Sequence, residues 1–294
     1  MEKLKRQFRE LSVIASLKDV NLLLNVAAHS VKIKELSIEE PGGKCYLRPT
    51  LHIFLSAPFG HGKSTLLKQL MSNYPSVLLT HVTVPGLIGS IDRSSKMIIS
   101  AAAWEARNKL LILDEYTSTR PSQVGDILLQ LLEDQRYSRK IASYSADHEE
   151  VDGDLYFRVK NGLIDLKTRF SCVIATMKNP KKAREYSYKA LLSRTIPLRY
   201  ILRKEDLDSV LDGKQLFKKI NFQVSDEVMI KLDDFMYIRE IIDEVYEDMR
   251  RKGITKLNEV YLRTIGDCCR VFAVLGHHDD KLYKKIFELK VSVL

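Results

Sequence analysis

The chain has 294 residues, 45% hydrophobic and 29% charged, with 47 lysines and arginines against 38 aspartates and glutamates. That is the composition of a soluble globular protein with a basic excess, which favours polyanionic partners, nucleic acid first. No apolar run is long enough to cross a bilayer, and the start MEKLKRQFRE reads as too polar for a secretory signal.

Leu11 to Val31 places leucine, valine and alanine at helical spacing, and Glu40-Pro41-Gly42-Gly43 then breaks the pattern. From Leu51 the texture alternates. Leu51-His52-Ile53-Phe54-Leu55 is a short β run into a glycine loop, and Ser64 to Tyr74 reads as a helix. Ser76 to Val82 is a second predicted strand, ending near Pro85-Gly86. Ile98 to Asn108 reads as a helix carrying Trp104 into the core. Leu110 to Leu113 is a buried strand ending in Asp114-Glu115, and Val124 to Gln135 an amphipathic helix. Asn161-Gly162 between two β runs, 155–160 and 163–167, predicts a hairpin, because a type I′ turn needs positive φ at both positions. Phe170 to Thr176 is another buried strand, and from about Asp206 the pattern turns helical, at Glu227 to Arg251 and Tyr261 to Leu275. Alternating β and α followed by helices predicts an α/β fold: a parallel sheet with helices on both faces, plus an α-helical appendage. Cys45, Cys172, Cys268 and Cys269 show no CxxC spacing, which suits neither a zinc site nor a disulfide framework. A cytoplasmic or nucleoid-associated setting is expected. The histidines, the pair His277-His278 included, show no metal-ligand spacing.

The loop Ala57-Pro58-Phe59-Gly60-His61-Gly62-Lys63-Ser64 lies between strand and helix, the context of a P-loop. Gly60 and Gly62, with His61 between them, free backbone N–H groups to point at phosphates. Lys63 would neutralise the β and γ phosphates of ATP, Ser64 would offer a hydroxyl to Mg²⁺, and Thr65 follows them into the helix. Ala57 stands where the first glycine of the pattern usually does. Asp114 would hold the Mg²⁺ and Glu115 would orient or deprotonate the attacking water. Arg158, Lys160, Lys167 and Arg169 put positive charge around the hairpin turn, which suits phosphate contacts without base readout.

With these motifs the chain resembles an AAA+ ATPase, and within that class the ATPase domain of the minichromosome maintenance (MCM) helicases. The strand 47–55 is similar to the one that feeds that family's P-loop, and Val84-Pro85-Gly86-Leu87-Ile88-Gly89-Ser90 to its glycine-leucine motif. Val159-Lys160-Asn161-Gly162-Leu163, followed by Leu166-Lys167-Thr168-Arg169, resembles its pore hairpin. Ala190-Leu191-Leu192-Ser193-Arg194 is similar to its arginine-finger motif, and the helix with Arg263 and Arg270 to its sensor-2 helix. The resemblance covers about residues 47–275; the segment between Gln135 and Leu155 matches nothing in the family.

With the helical reading of 1–47 as an N-terminal segment, the resemblance implies an AAA+ core at 48–203 and a helical lid at 204–294. It implies a homo-oligomeric ring, hexameric in that family, in which Arg194 reaches the neighbour's γ-phosphate. Arg263 would contact phosphate from the lid, and Asn179, in Ala175-Thr176-Met177-Lys178-Asn179-Pro180, would be sensor 1. The substrate implied is DNA, moved by a helicase-like motor or a replication initiator or loader. Only about 47 residues precede the core, so a separate DNA-binding partner protein is one expectation. Two other readings stay open: a protein-remodelling AAA+ ATPase of the transcription-activator or metal-insertion-chaperone kind, and a nucleotide-gated scaffold.

Overall fold

The structure, a computed structural model, describes residues 14–80, 82–91, 98–99, 101–116, 121–140, 147–176, 186–206 and 215–293. The first described helix is α1 (Leu17–Ser30). It starts where Ser16 and Asp19 form a reciprocal capping box, later than periodicity alone predicts. Next comes a hairpin, β1 (Glu35–Glu40) and β2 (Gly43–Leu47), in register Glu40↔Gly43. The predicted break at Pro41-Gly42 is thus a two-residue turn, with Gly42 at φ 101°.

Five parallel strands follow along the chain: β3 (Ile53–Ser56), β4 (Ser76–Leu79), β7 (Leu110–Leu113), β12 (Ser171–Thr176) and β13 (Ile196–Arg199). Their order in the sheet is β13-β3-β12-β7-β4. β3, β7 and β12 are buried throughout, which is why they read as continuous apolar runs. Alternate residues feed two cores. Ile53, Leu55, Ile112 and Val173 pack with α1, with α2 (Lys63–Asn73) and with three C-terminal helices. Phe54, Leu111, Leu113 and Ile174 face α3 (Val84–Ile88), α4 (Ala102–Glu105) and α5 (Pro121–Asp134).

Between the strands lie short elements. β5 (Ser90–Ile91) pairs with β6 (Ile98–Ile99). The helix predicted from Ile98 to Asn108 therefore holds only at α4, and the second strand ends at Leu79 rather than Val82. Asn108, left-handed at φ 58°, donates its N–H to Arg169 O and ends the helical stretch. Trp104 is buried on α4 as expected. A separate antiparallel sheet, β8-β11-β10-β9, is built from β8 (Arg136–Lys140), β9 (His148–Asp152), β10 (Leu155–Lys160) and β11 (Leu163–Lys167). Asn161 and Gly162 have φ of 51° and 72°, the expected turn. The flanking strands β8 and β9 occupy the stretch that resembled nothing.

After α6 (Tyr186–Arg194) and β13, the predicted helix at Glu227 opens instead as β14 (Glu227–Ile230), which pairs in parallel with β1. Partner strands override the local helical preference there. Helices α7 (Leu232–Arg251), α8 (Asn258–Leu275) and α9 (Asp280–Val291) complete the chain, α9 being one the periodicity did not predict. Among the described residues no helix is long and apolar enough to cross a membrane.

Helix α1 is tied to the extended segment 216–222 by a ladder of side chains. Asn21 donates to Leu216 O at 2.8 Å and accepts from Lys218 N at 2.8 Å. Asn25 donates to Lys218 O at 2.9 Å and accepts from Ile220 N at 2.8 Å. His29 Nε2 accepts from Phe222 N at 3.3 Å. Four helical residues rise about 6 Å and two extended residues about 6.6 Å, so i, i+4, i+8 side chains match every second amide.

Candidate functional site

The carboxyl ends of β3, β12 and β7 lie side by side, and in open parallel sheets ligands bind at that rim. The glycine loop leaves β3 there and enters α2. Gly60 and Gly62 sit at φ 81° and 70°. The left-handed φ at Gly62 favours glycine, and a Cβ there would press on the end of the Leu216 side chain, at 2.7 Å from Cδ1. His61 Nδ1 accepts the N–H of Leu202 at 3.1 Å, anchoring the loop to the chain after β13. Ser64 and Thr65 are exposed on the first turn of α2.

Lys63 is buried to 8% exposure, and its ammonium donates to Asp114 Oδ1 at the end of β7. Strand β12 intervenes, so the contact spans two strand spacings, about 10 Å of sheet. The turn after β7 is pinned from both sides. Asp114 N donates to Leu79 O at 2.9 Å and Tyr116 N to Ala175 O at 3.0 Å. Glu115 between them is left-handed, at φ 54°, and exposed, its N–H donating to Asp114 Oδ1 at 2.8 Å. A non-glycine residue held there by both neighbours is the kind of strain found at functional sites. The Ser64 hydroxyl and the Asp114 carboxylate are oxygen donors of the kind that Mg²⁺ takes. Asn179 lies outside the described residues.

Arg194 and Arg263 come together on one carboxylate. Arg194, at the end of α6, donates Nε to Glu133 Oε2 at 2.6 Å and Nη1 to Ala190 O at 3.2 Å. Arg263, on α8, reaches Glu133 Oε1 at 3.5 Å and also donates to Ser193 Oγ. Behind them lie Arg270, Lys290 and Asp267. Arg270 donates to Asp267 Oδ1 at 2.7 Å and to Arg48 O at 2.6 Å. Lys290, fully buried, pairs with Asp267 and donates to Ser193 O at 3.0 Å; burial pulls its pKa down. Burial and then nearby Arg270 lower Arg48 likewise. Arg270 is therefore engaged inside the protein while Arg263 faces outward. Glu133 and Lys290 carried no sequence signal, and Arg48 none beyond its place in the stretch 47–55.

On the hairpin sheet the exposed cations divide. Arg158 pairs with Glu149, Lys167 with Asp154 at 3.0 Å, and Arg136 with Asp165 at 3.0 Å. Lys160, Leu163 and Lys140 form one cross-strand row at the tip, through Lys160↔Leu163 and Leu163↔Lys140, and all three are exposed. Arg169 is a correction: it is buried rather than exposed near the turn, bonding Asn108 Oδ1 at 2.7 and 3.1 Å. Lys140 was missed because it lies in the stretch that resembled nothing.

The fold and site together define an α/β protein: a five-stranded parallel sheet with a lysine loop and an acidic turn at one rim. No protein-family model matches the chain. Over 110 residues the chain is 29% identical to an uncharacterized MCM-type protein of Methanocaldococcus jannaschii. That match covers 34% of this chain and 14% of the relative's length.

Proposed function

We propose that the protein is an ATP-hydrolysing AAA+ motor of the MCM-like kind, working as a ring and acting on DNA. The observation that carries this reading is the Lys63–Asp114 contact across β12, which brings the glycine loop and the acidic turn together at one rim of the sheet. The partial likeness to an MCM-type protein supports it.

The chain's own residues have distinct parts. The loop N–H groups around Gly60 and Gly62 and the start of α2 cradle the phosphates. Lys63 exchanges Asp114 for the β and γ phosphates. Ser64 and Asp114 would hold Mg²⁺, which when bound neutralises phosphate charge. Glu115, exposed past the strand end, orients and deprotonates the attacking water. Arg194 is bonded at Glu133 rather than to the loop of its own chain, and we read it, with Arg263, as serving a neighbouring subunit's γ-phosphate. The tip row Lys160-Leu163-Lys140 offers two lysines to a phosphate backbone, without base readout.

The test is steady-state ATP turnover of the purified chain, alone and with single- or double-stranded DNA. Turnover that rises with DNA supports the reading. Turnover indifferent to DNA but raised by an unfolded protein would favour the protein-remodelling alternative, and no turnover under any condition would favour a scaffold.

A further inference from the structure

Glu133 stands in the last turn of α5, where the helix dipole is negative and a carboxylate is disfavoured. It is held there by Arg194 and Arg263, one on each oxygen. The surroundings are strongly positive: among the described residues, Arg48, Arg194, Arg263, Arg270 and Lys290 gather around the carboxylates of Glu133 and Asp267. Asp267 is committed to Arg270 and Lys290 in the interior. Arg48 Nε is buried and has no hydrogen-bond partner among the described residues. A concentration of partly buried cations with too few anions is stabilised by a further anion. Glu133, 46% exposed on the rim of the cluster, is the one carboxylate free to swing away into water.

We propose that Glu133 is an internal stand-in for phosphate. In the lone protomer it occupies the guanidinium fork of Arg194 and Arg263, and a neighbour's polyphosphate chain must displace it. The inference rests on the reading of Arg194 as a residue that serves a neighbouring subunit. It adds that Glu133 sets how much nucleotide is needed to engage those arginines. Guanidinium binds carboxylate and phosphate with the same two-pronged geometry, so one can replace the other without rearranging the arginines. Phosphate carries more charge and more acceptors than a single carboxylate, so exchange favours it.

The experiment uses Lys63→Ala protein, in which the chain's own loop is disabled, and inorganic tripolyphosphate as the probe, read by calorimetry. Glu133→Gln in this background should bind tripolyphosphate several-fold more tightly than the parent. Adding Arg194→Ala should abolish the gain. Glu133→Asp, which keeps the charge, should stay at the parent's affinity, and matching thermal unfolding curves check that the fold is intact. Equal affinity of Lys63→Ala with and without Glu133→Gln overturns the inference, as does a gain that survives loss of Arg194. Neither result touches the ring reading itself, which subunit mixing tests separately.

Discussion

Lys63, at the start of α2, bonds to Asp114, at the end of β7, although a whole strand lies between β3 and β7. The lysine is buried, so removing it takes away the charge partner of both the aspartate and any bound phosphate. Lys63→Ala should lose ATP binding, measured by calorimetry or a fluorescent nucleotide. ATP affinity equal to the wild type would remove the nucleotide site from the loop.

The role proposed for Glu115 separates binding from chemistry. Glu115→Gln should bind ATP as the wild type does and turn it over far more slowly, since only the group that activates water changes. Glu115→Gly should be equally inactive yet no less stable. Relief of the left-handed conformation, about 1 kcal/mol, offsets glycine's extra unfolded-state entropy, about 0.5–1 kcal/mol. A large fall in melting temperature for the glycine variant would show that the side chain supports the fold.

Asn25 carries the ladder between α1 and the segment 216–222. It is fully buried and also accepts a hydrogen bond from Tyr74 Oη at 2.5 Å. Asn25→Ala should cost about 1–3 kcal/mol, because Lys218 O and Ile220 N lose their partner. The partly exposed Asn21 should cost less, since water replaces part of what is lost. Denaturant unfolding midpoints measure both; a cost for Asn25→Ala within the error of zero would mean that solvent reaches this seam.

Two buried histidines make stability depend on pH. His52 Nδ1 accepts from Cys172 N at 3.0 Å and its Nε2 lies 3.3 Å from Leu132 O. Burial, then Arg48, holds its pKa well below the ordinary histidine value of 6.5. His29 is lowered too, mainly by burial. Both therefore protonate more readily in the unfolded chain than in the fold. Their contribution is therefore complete above about pH 6.5 and is lost as pH falls below it. Unfolding free energy should drop on going from pH 7 to pH 5, and His29→Asn should flatten part of that drop. A stability that is constant through this range would mean that neither ring is neutral in the fold.

Much of the site was legible in the sequence because its signals are local. The loop 57–64, the acidic end of β7 and the Asn161-Gly162 turn each depend on neighbours in the chain, and periodicity exposed the buried strands. What stayed hidden depends on distant partners. β14 is a strand only because β1 lies beside it, and α4 is cut short by Asn108 meeting Arg169. Glu133 is unremarkable on an amphipathic helix until α6 and α8 bring two arginines to it. Arg169 looked like a hairpin cation because it follows Lys167 by two residues; the strand β11 ends between them and turns it inward.

The central claim, an ATP site completed by a neighbouring subunit, is tested most directly by mixing two inactive variants. Arg194→Ala keeps an intact loop, and losing such an arginine should slow turnover roughly a thousandfold. Lys63→Ala keeps an intact Arg194 and binds no ATP. In a mixed ring some interfaces pair the good loop of the first with the good arginine of the second. Mixing should therefore restore part of the ATP turnover that each variant lacks alone. No recovery, with mixed assembly confirmed by native mass spectrometry, would contradict the account and place Arg194 in its own chain's structure.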